Sequence, residues 1–136
     1  MRIKKDEIMF IYDSSNHKEK EALAYAKALQ YYHLRAQDLK HDSLTPTQVK
    51  RVAEHCNYKL EDLVDQRAAK DANFSLSDIS KEELLTLLSE NPELIKTPLV
   101  LWHDGGKQLE NKFQLVNEGL KLNKKQVITQ HKSTAQ

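Results

Sequence analysis

The side chains able to do chemistry in this chain stand in four places. The first is Tyr12-Asp13-Ser14-Ser15-Asn16-His17, a polar loop between an apolar run and a helix start. A helix N-terminus supplies the field that lowers a thiol's pKa, but this loop holds no cysteine. His17 reads as an exposed first-turn residue in preference to a ligand-contacting or metal-binding one. The second place is Cys56, the only cysteine. It completes the stripe Val49, Val52, Ala53, Cys56, so a small buried hydrophobe is preferred to a redox thiol. The third is Glu61, Asp62 and Asp65. A general acid/base pair is one reading; the preferred one is the solvated face of a short helix. The fourth is Trp102-His103-Asp104, read either as a pocket wall with Tyr12 and Pro98 or, preferentially, as the end of a core strand. Six histidines occur, none paired at i, i+4 and none accompanied by a cysteine pair. No metal site is expected.

These groups must be positioned by the elements around them. Ile8 to Tyr12 is an uninterrupted apolar run, the pattern of a strand buried on both faces. Asn16, with Glu19 three residues on, predicts an N-cap and its reciprocal partner. The helix should run to about Tyr32, with Ala22, Leu23, Ala26 and Leu29 on one face. Leu34 to Asp38 then gives a second strand, completing a βαβ unit. Thr45-Pro46-Thr47-Gln48 is a strong helix start. A short helix from Lys59 to about Asp65 buries Leu60, Leu63 and Val64, and Gln66 to Ser77 reads as irregular. Ser80-Lys81-Glu82-Glu83 is a capping box opening a leucine-rich helix that Asn91-Pro92 stops. Thr97-Pro98 precedes the apolar strand Leu99 to Trp102, since proline belongs at a strand's first residue. His103 to Lys107 predicts a hairpin turn, Gln108 to Glu110 a return strand, and Phe113, Leu115, Val116 and Leu120 a final helix. The chain from Asn123 onward reads as a frayed or disordered tail. One domain over residues 1–122 with a flexible tail at 123–136 is therefore expected.

Composition narrows the function classes. With 136 residues, 39% hydrophobic and 30% charged, the chain suits a single domain with a modest core. A net charge of +1 gives no electrostatic case for direct nucleic-acid or membrane binding. A single cysteine forms no internal disulfide. The residues after Met1 hold too short an apolar run for a signal peptide or membrane span, so a soluble cytoplasmic protein is expected. Three glycines, Gly105, Gly106 and Gly119, build no phosphate loop.

The element order, β-α-β, an all-helical insertion, then Pro-strand-hairpin-strand and a last helix, resembles the thioredoxin fold. Leu84-Leu85-Thr86-Leu87-Leu88-Ser89-Glu90-Asn91-Pro92-Glu93-Leu94-Ile95-Lys96-Thr97-Pro98-Leu99-Val100 is similar to the most specific stretch of the ArsC/Spx family. These are the glutaredoxin-like arsenate reductases and their regulatory relatives. The resemblance covers roughly positions 7 to 120. It implies an α/β fold with a four-stranded mixed sheet and a helical insertion over about Thr45 to Lys96, with Thr97-Pro98 cis and facing the loop. It also implies where this chain departs. The family's loop reads Tyr, two residues, Pro, one residue, Cys. Here Ser15 stands for the proline and His17 for the cysteine, and Lys20 stands where Spx-type members carry a second cysteine. The three arginines of the family's reductases fall on Asp65, Thr97 and Asn111.

Two functional readings follow. In the first, the chain has kept the fold and lost the thiol and the arginines, and is a non-catalytic binding or regulatory protein. Tyr12, Ser15, Asn16, His17, Thr97 and Pro98 are then its candidate binding residues, with no catalytic residue, no cofactor and an unidentified protein partner. Spx-type relatives contact RNA polymerase, which makes the partner reading one of analogy. In the second, the chain is an arsenate reductase or glutaredoxin-type thiol oxidoreductase that takes its thiol from glutathione. Loss of nucleophile and arginines together favours the first.

Overall fold

Ile8, Met9, Phe10 and Ile11 are all buried, which places their strand at the centre of the molecule. The structure, a computed structural model, describes residues 2–28 and 32–109. Strand β1 (Glu7–Tyr12) leads into helix α1 (His17–Lys27) and strand β2 (His33–Asp38). The insertion follows: α2 (Pro46–His55), a 3-10 turn at Leu60–Leu63, α3 (Gln66–Asp71), α4 (Lys81–Glu90) and a 3-10 turn at Pro92–Leu94. Strands β3 (Leu99–Trp102) and β4 (Gly105–Gln108) form the closing hairpin.

The sheet runs β2-β1-β3-β4, with β1 parallel to β2 and antiparallel to β3. Ile11 pairs with Leu99 and Ile8 with Trp102. The two apolar runs are thus neighbours, as expected. Alternation along a strand sends successive side chains to opposite faces, and two cores result. Met9, Ile11, Leu99 and Leu101 pack under the insertion with Val49, Val52, Leu84, Leu88 and Cys56. Ile8, Phe10 and Val100 pack on the other face with Ala22 and Ala26 of α1 and with Leu109. The Thr97–Pro98 peptide is cis, as expected.

Several expectations are corrected. Helix α1 ends at Lys27, capped at Ala28, rather than near Tyr32. The chain must turn back to enter β2, where the His33 N–H donates to the Asp6 carbonyl at 2.7 Å. No glycine or proline marks that stop, so periodicity overshoots it; Leu29 lies outside the described residues. The segment from Gln66, read as irregular, begins with α3. Asp65 caps it by accepting the Ala68 N–H at 3.0 Å, and Gln-Arg-Ala-Ala-Lys consists of good helix formers. Leu60–Leu63 is a 3-10 turn, shorter than the helix expected to run on to Asp65. The hairpin turn is His103-Asp104 alone, because Trp102 already pairs with Gly105 and Leu101 with Gly106. Both glycines are strand residues with ordinary negative φ. Gly106 is required by packing: a Cβ there would stand 2.7 Å from Leu101 Cδ2 and 2.8 Å from Cys56 Sγ. The final helix and the tail at 123–136 lie outside the described residues.

Candidate functional site

β1 ends at Tyr12 and α1 begins at His17, so the loop between them sits at the carboxyl end of a central strand. β2 runs parallel and ends at Asp38 beside it. Thr97 and Pro98 precede β3, which runs the opposite way, and so reach the same end of the sheet. The fold therefore brings Tyr12 to Asn16, Asp38, Thr97 and Pro98 together. Trp102-His103-Asp104 is not part of this group. Trp102 pairs with Ile8 at the far end of the strands, so it lines no pocket with Tyr12 and Pro98.

The side chain that ties the group together is Glu19. It is 6% exposed and is the only buried charged residue among those described. Its carboxylate accepts the Asp13 N–H at 3.0 Å and a hydrogen bond from the Thr97 side chain. Sequence reasoning gave it a lesser part, as partner of the Asn16 N–H. Asn16 does cap α1, but by accepting the Lys18 N–H at 3.0 Å, while its own N–H donates to the Asp13 carbonyl at 3.0 Å. Glu19 reaches past the cap to the loop. Burial pushes its carboxyl above the ordinary value of 4.5. Hydrogen bonds from Thr97 and Asp13 work against this, and the charges of Asp13 and Asp38 work with it.

Two further carboxylates complete the arrangement. Asp38 accepts the Ser14 N–H at 3.0 Å and the Lys40 N–H at 3.1 Å. Burial would raise its carboxyl, but the contacts with Ser14, the Lys40 N–H and nearby His41 together hold it below 3.8. Asp13 accepts the Ser15 N–H at 2.9 Å and also the Ser15 hydroxyl. The N–H groups of residues 13, 14 and 15 thus go to three carboxylates of the chain itself. Tyr12 lies against Phe10, ring centroids 5.8 Å apart, and burial followed by the Asp38 charge raises its phenol. Pro98 is buried, while Ser15, Asn16 and His17 are exposed.

The other candidates fall into structural roles. His17 points outward with an 85% exposed side chain and pairs with Glu21 at 3.0 Å, one helical turn on. Cys56 is 7% exposed and lies in the core under the insertion, across the sheet from α1. Burial pushes its thiol up to about 11. Asp62 accepts the Lys59 N–H at 2.9 Å and Asp65 caps α3, so these two acids hold turns in place, while Glu61 is exposed. His33 and His41 pair with Asp6 and Asp38 at 3.5 and 3.8 Å. His55 and His103 contact the carbonyls of Trp102 and Ile3; His131 lies outside the described residues, as does Asn111. Among the described residues no cluster of three or more His, Cys, Asp or Glu could hold a metal ion. No helix among them is long and apolar enough to cross a membrane. A cavity of about 580 Å³ opens in the insertion, lined by Val64, Phe74, Leu76 and Ile79 among others. It is remote from the loop.

Comparison with known proteins agrees with this geometry. The chain is 26% identical over 77 residues to the global transcriptional regulators Spx 2 and Spx of two Lactococcus lactis subspecies. The match takes in 54% of this chain and 58% of each regulator, so it spans little more than half their length. The fold is shared with an arsenate reductase from Vibrio cholerae, at a TM-score of 0.69 and 17% identity, over 84% of this chain and 98% of that one. A Staphylococcus aureus protein, SACOL0876, superposes at a TM-score of 0.56 and 19% identity over 79% of this chain and 95% of its own. The ArsC family model matches residues 13–112, from the loop through β4. Thioredoxin-like in its sheet and helically inserted between β2 and β3, the chain belongs to the ArsC family.

Proposed function

We propose that this chain is a non-catalytic binding or regulatory member of the family, without the thiol nucleophile and the oxyanion arginines. The observation that carries this is the position of its one thiol. Thiol chemistry needs an accessible thiolate, which a helix N-terminus favours. The loop at α1 holds none, and Cys56 lies across the sheet, buried and pushed up to about 11. His17, in the register of the family's cysteine, forms no mixed disulfide and no arsenic–sulfur bond. Binding would use the exposed loop edge at Ser15, Asn16 and His17, with Tyr12, Thr97 and Pro98 behind it. The Spx relatives are named as transcriptional regulators, which supports a protein partner in the cytoplasm over a small-molecule substrate.

Turnover tests this reading. The purified chain should reduce neither arsenate supplied with glutathione and glutaredoxin nor a small disulfide supplied with glutathione alone. Glutathione-dependent turnover by the wild-type chain would replace the proposal with the alternative, a reductase that borrows its thiol. Turnover abolished by Cys56→Ala would overturn the structural assignment of that cysteine as well.

A further inference from the structure

We infer that the Glu19 carboxylate is a built-in anion: from the first turn of α1 it takes a backbone donor of the preceding loop and makes the site select against free oxyanions. The inference rests on the non-catalytic reading and names the specificity of that same site.

Burial is the first ground. An ionised carboxylate withdrawn from water is costly unless hydrogen bonds replace the lost hydration. Glu19 is 6% exposed, and among the described residues no cation contacts or perturbs it. What compensates it is a backbone N–H, from Asp13 at 3.0 Å, and the Thr97 side chain. One donor from the loop and one from the segment before β3 converge on a single negative group. That is how a bound oxyanion would be held.

Place is the second ground. Glu19 lies in the first turn of α1, where the helix field favours negative charge. The neighbouring donors are also taken from within, Ser14 N–H by Asp38 and Ser15 N–H by Asp13. A free oxyanion would have to displace Glu19 and then face Asp13 and Asp38. An occupant without negative charge meets neither obstacle.

The test uses the full chain and inorganic arsenate as probe, with binding followed by calorimetry and folding by circular dichroism. Wild type should show no saturable arsenate binding in the millimolar range. Glu19→Ala frees both donors and removes one charge, so saturable binding should appear, about tenfold or more tighter than any wild-type signal. Glu19→Gln keeps the shape, removes the charge and should gain part of this. Glu19→Asp should gain none. Arsenate binding by wild type as tight as by Glu19→Ala would overturn the inference. So would folded Ala and Gln variants that bind no arsenate, or two variants that fail to fold, since the carboxylate would then be a structural tie. None of these results depends on turnover, so failure here is distinguishable from failure of the non-catalytic reading.

Discussion

Cys56 and Gly106 are fitted to each other. A Cβ at position 106 would stand 2.8 Å from the thiol and 2.7 Å from Leu101. Gly106→Ala should therefore overpack the core and cost about 1–3 kcal/mol in chemical denaturation. Cys56→Ala removes one heavy atom from a buried site and should cost about 1 kcal/mol. Because the sulfur is one of the two close contacts, the double variant should be less destabilised than the sum, with a coupling of at least about 0.5 kcal/mol. Additive costs would mean that Leu101 and the Val100 carbonyl, 3.0 Å from that Cβ, set the fit. Glu19 and Asp38 give a second prediction, through opposite signs. Burial, partly offset by hydrogen bonds, raises the Glu19 carboxyl above 4.5. The folded state then holds that proton more tightly than the unfolded chain, so its contribution is full below 4.5 and is lost as pH rises through the folded value. Asp38 is held below 3.8, so its contribution is present above 3.8 and is lost as pH falls through its folded value. In urea titrations between about pH 4 and pH 7, Glu19→Gln should gain stability relative to wild type as pH rises. Asp38→Asn should lose it over a lower window, as pH rises from about 2 to about 5. A Glu19→Gln difference that is flat in pH would contradict the raised carboxyl.

Helix ends show how far local chemistry was readable. Thr45 accepts the Gln48 N–H at 3.1 Å while Gln48 accepts the Thr45 N–H at 3.0 Å, the reciprocal cap that Thr-Pro-Thr-Gln implied. Ser80 accepts the Glu83 N–H at 3.1 Å. The C-termini are another matter. α2 and α3 both end in a Schellman motif with asparagine in the left-handed region, Asn57 at φ 57° and Asn73 at φ 60°. The Tyr58 N–H reaches the Ala53 carbonyl and the Phe74 N–H reaches the Ala69 carbonyl, both at 2.9 Å. Asn73 was not legible as a stop, because α3 is only six residues long and offers no periodicity to terminate. At either asparagine, glycine should be neutral or stabilising by up to about 1 kcal/mol, and valine should destabilise by about 1–2 kcal/mol. Thermal unfolding of the two pairs decides it. Equal effects of glycine and valine would deny the left-handed caps.

At the scale of the molecule, the order of elements and the two apolar strands were readable because a strand buried on both faces leaves no alternation to misread. The site was readable only in outline. Its loop and Thr97-Pro98 could be named, but Glu19 looked like an ordinary first-turn acid. Its signal was available: Glu19, Ala22, Leu23 and Ala26 lie on one helical stripe, so the carboxylate continues the buried face of α1. What the pattern could not supply was the partner, since Thr97 is 78 positions away along the chain and meets Glu19 only when the sheet closes. On the proposed reading, this bears on whether a thiol at the helix start would suffice for arsenate reduction. His17 is the first residue of α1 and its side chain is 85% exposed. In His17→Cys, a thiol would stand at a helix N-terminus, where its pKa should fall below the usual value of about 8.5. The variant should react with a chromogenic disulfide faster than wild type, whose Cys56 is buried, and the pH dependence of that rate should report the lowered pKa. Arsenate turnover should nevertheless stay absent. The reaction also needs the oxyanion held beside the sulfur, and there the chain presents Glu19, Asp13 and Asp38. Arsenate turnover by His17→Cys alone would show that the fold and a thiol suffice, and that these carboxylates do not exclude the anion. A reactive but non-reducing His17→Cys, joined by arsenate binding only when Glu19 is also removed, would separate the two deficits: a missing nucleophile at the helix start and a filled anion position behind it.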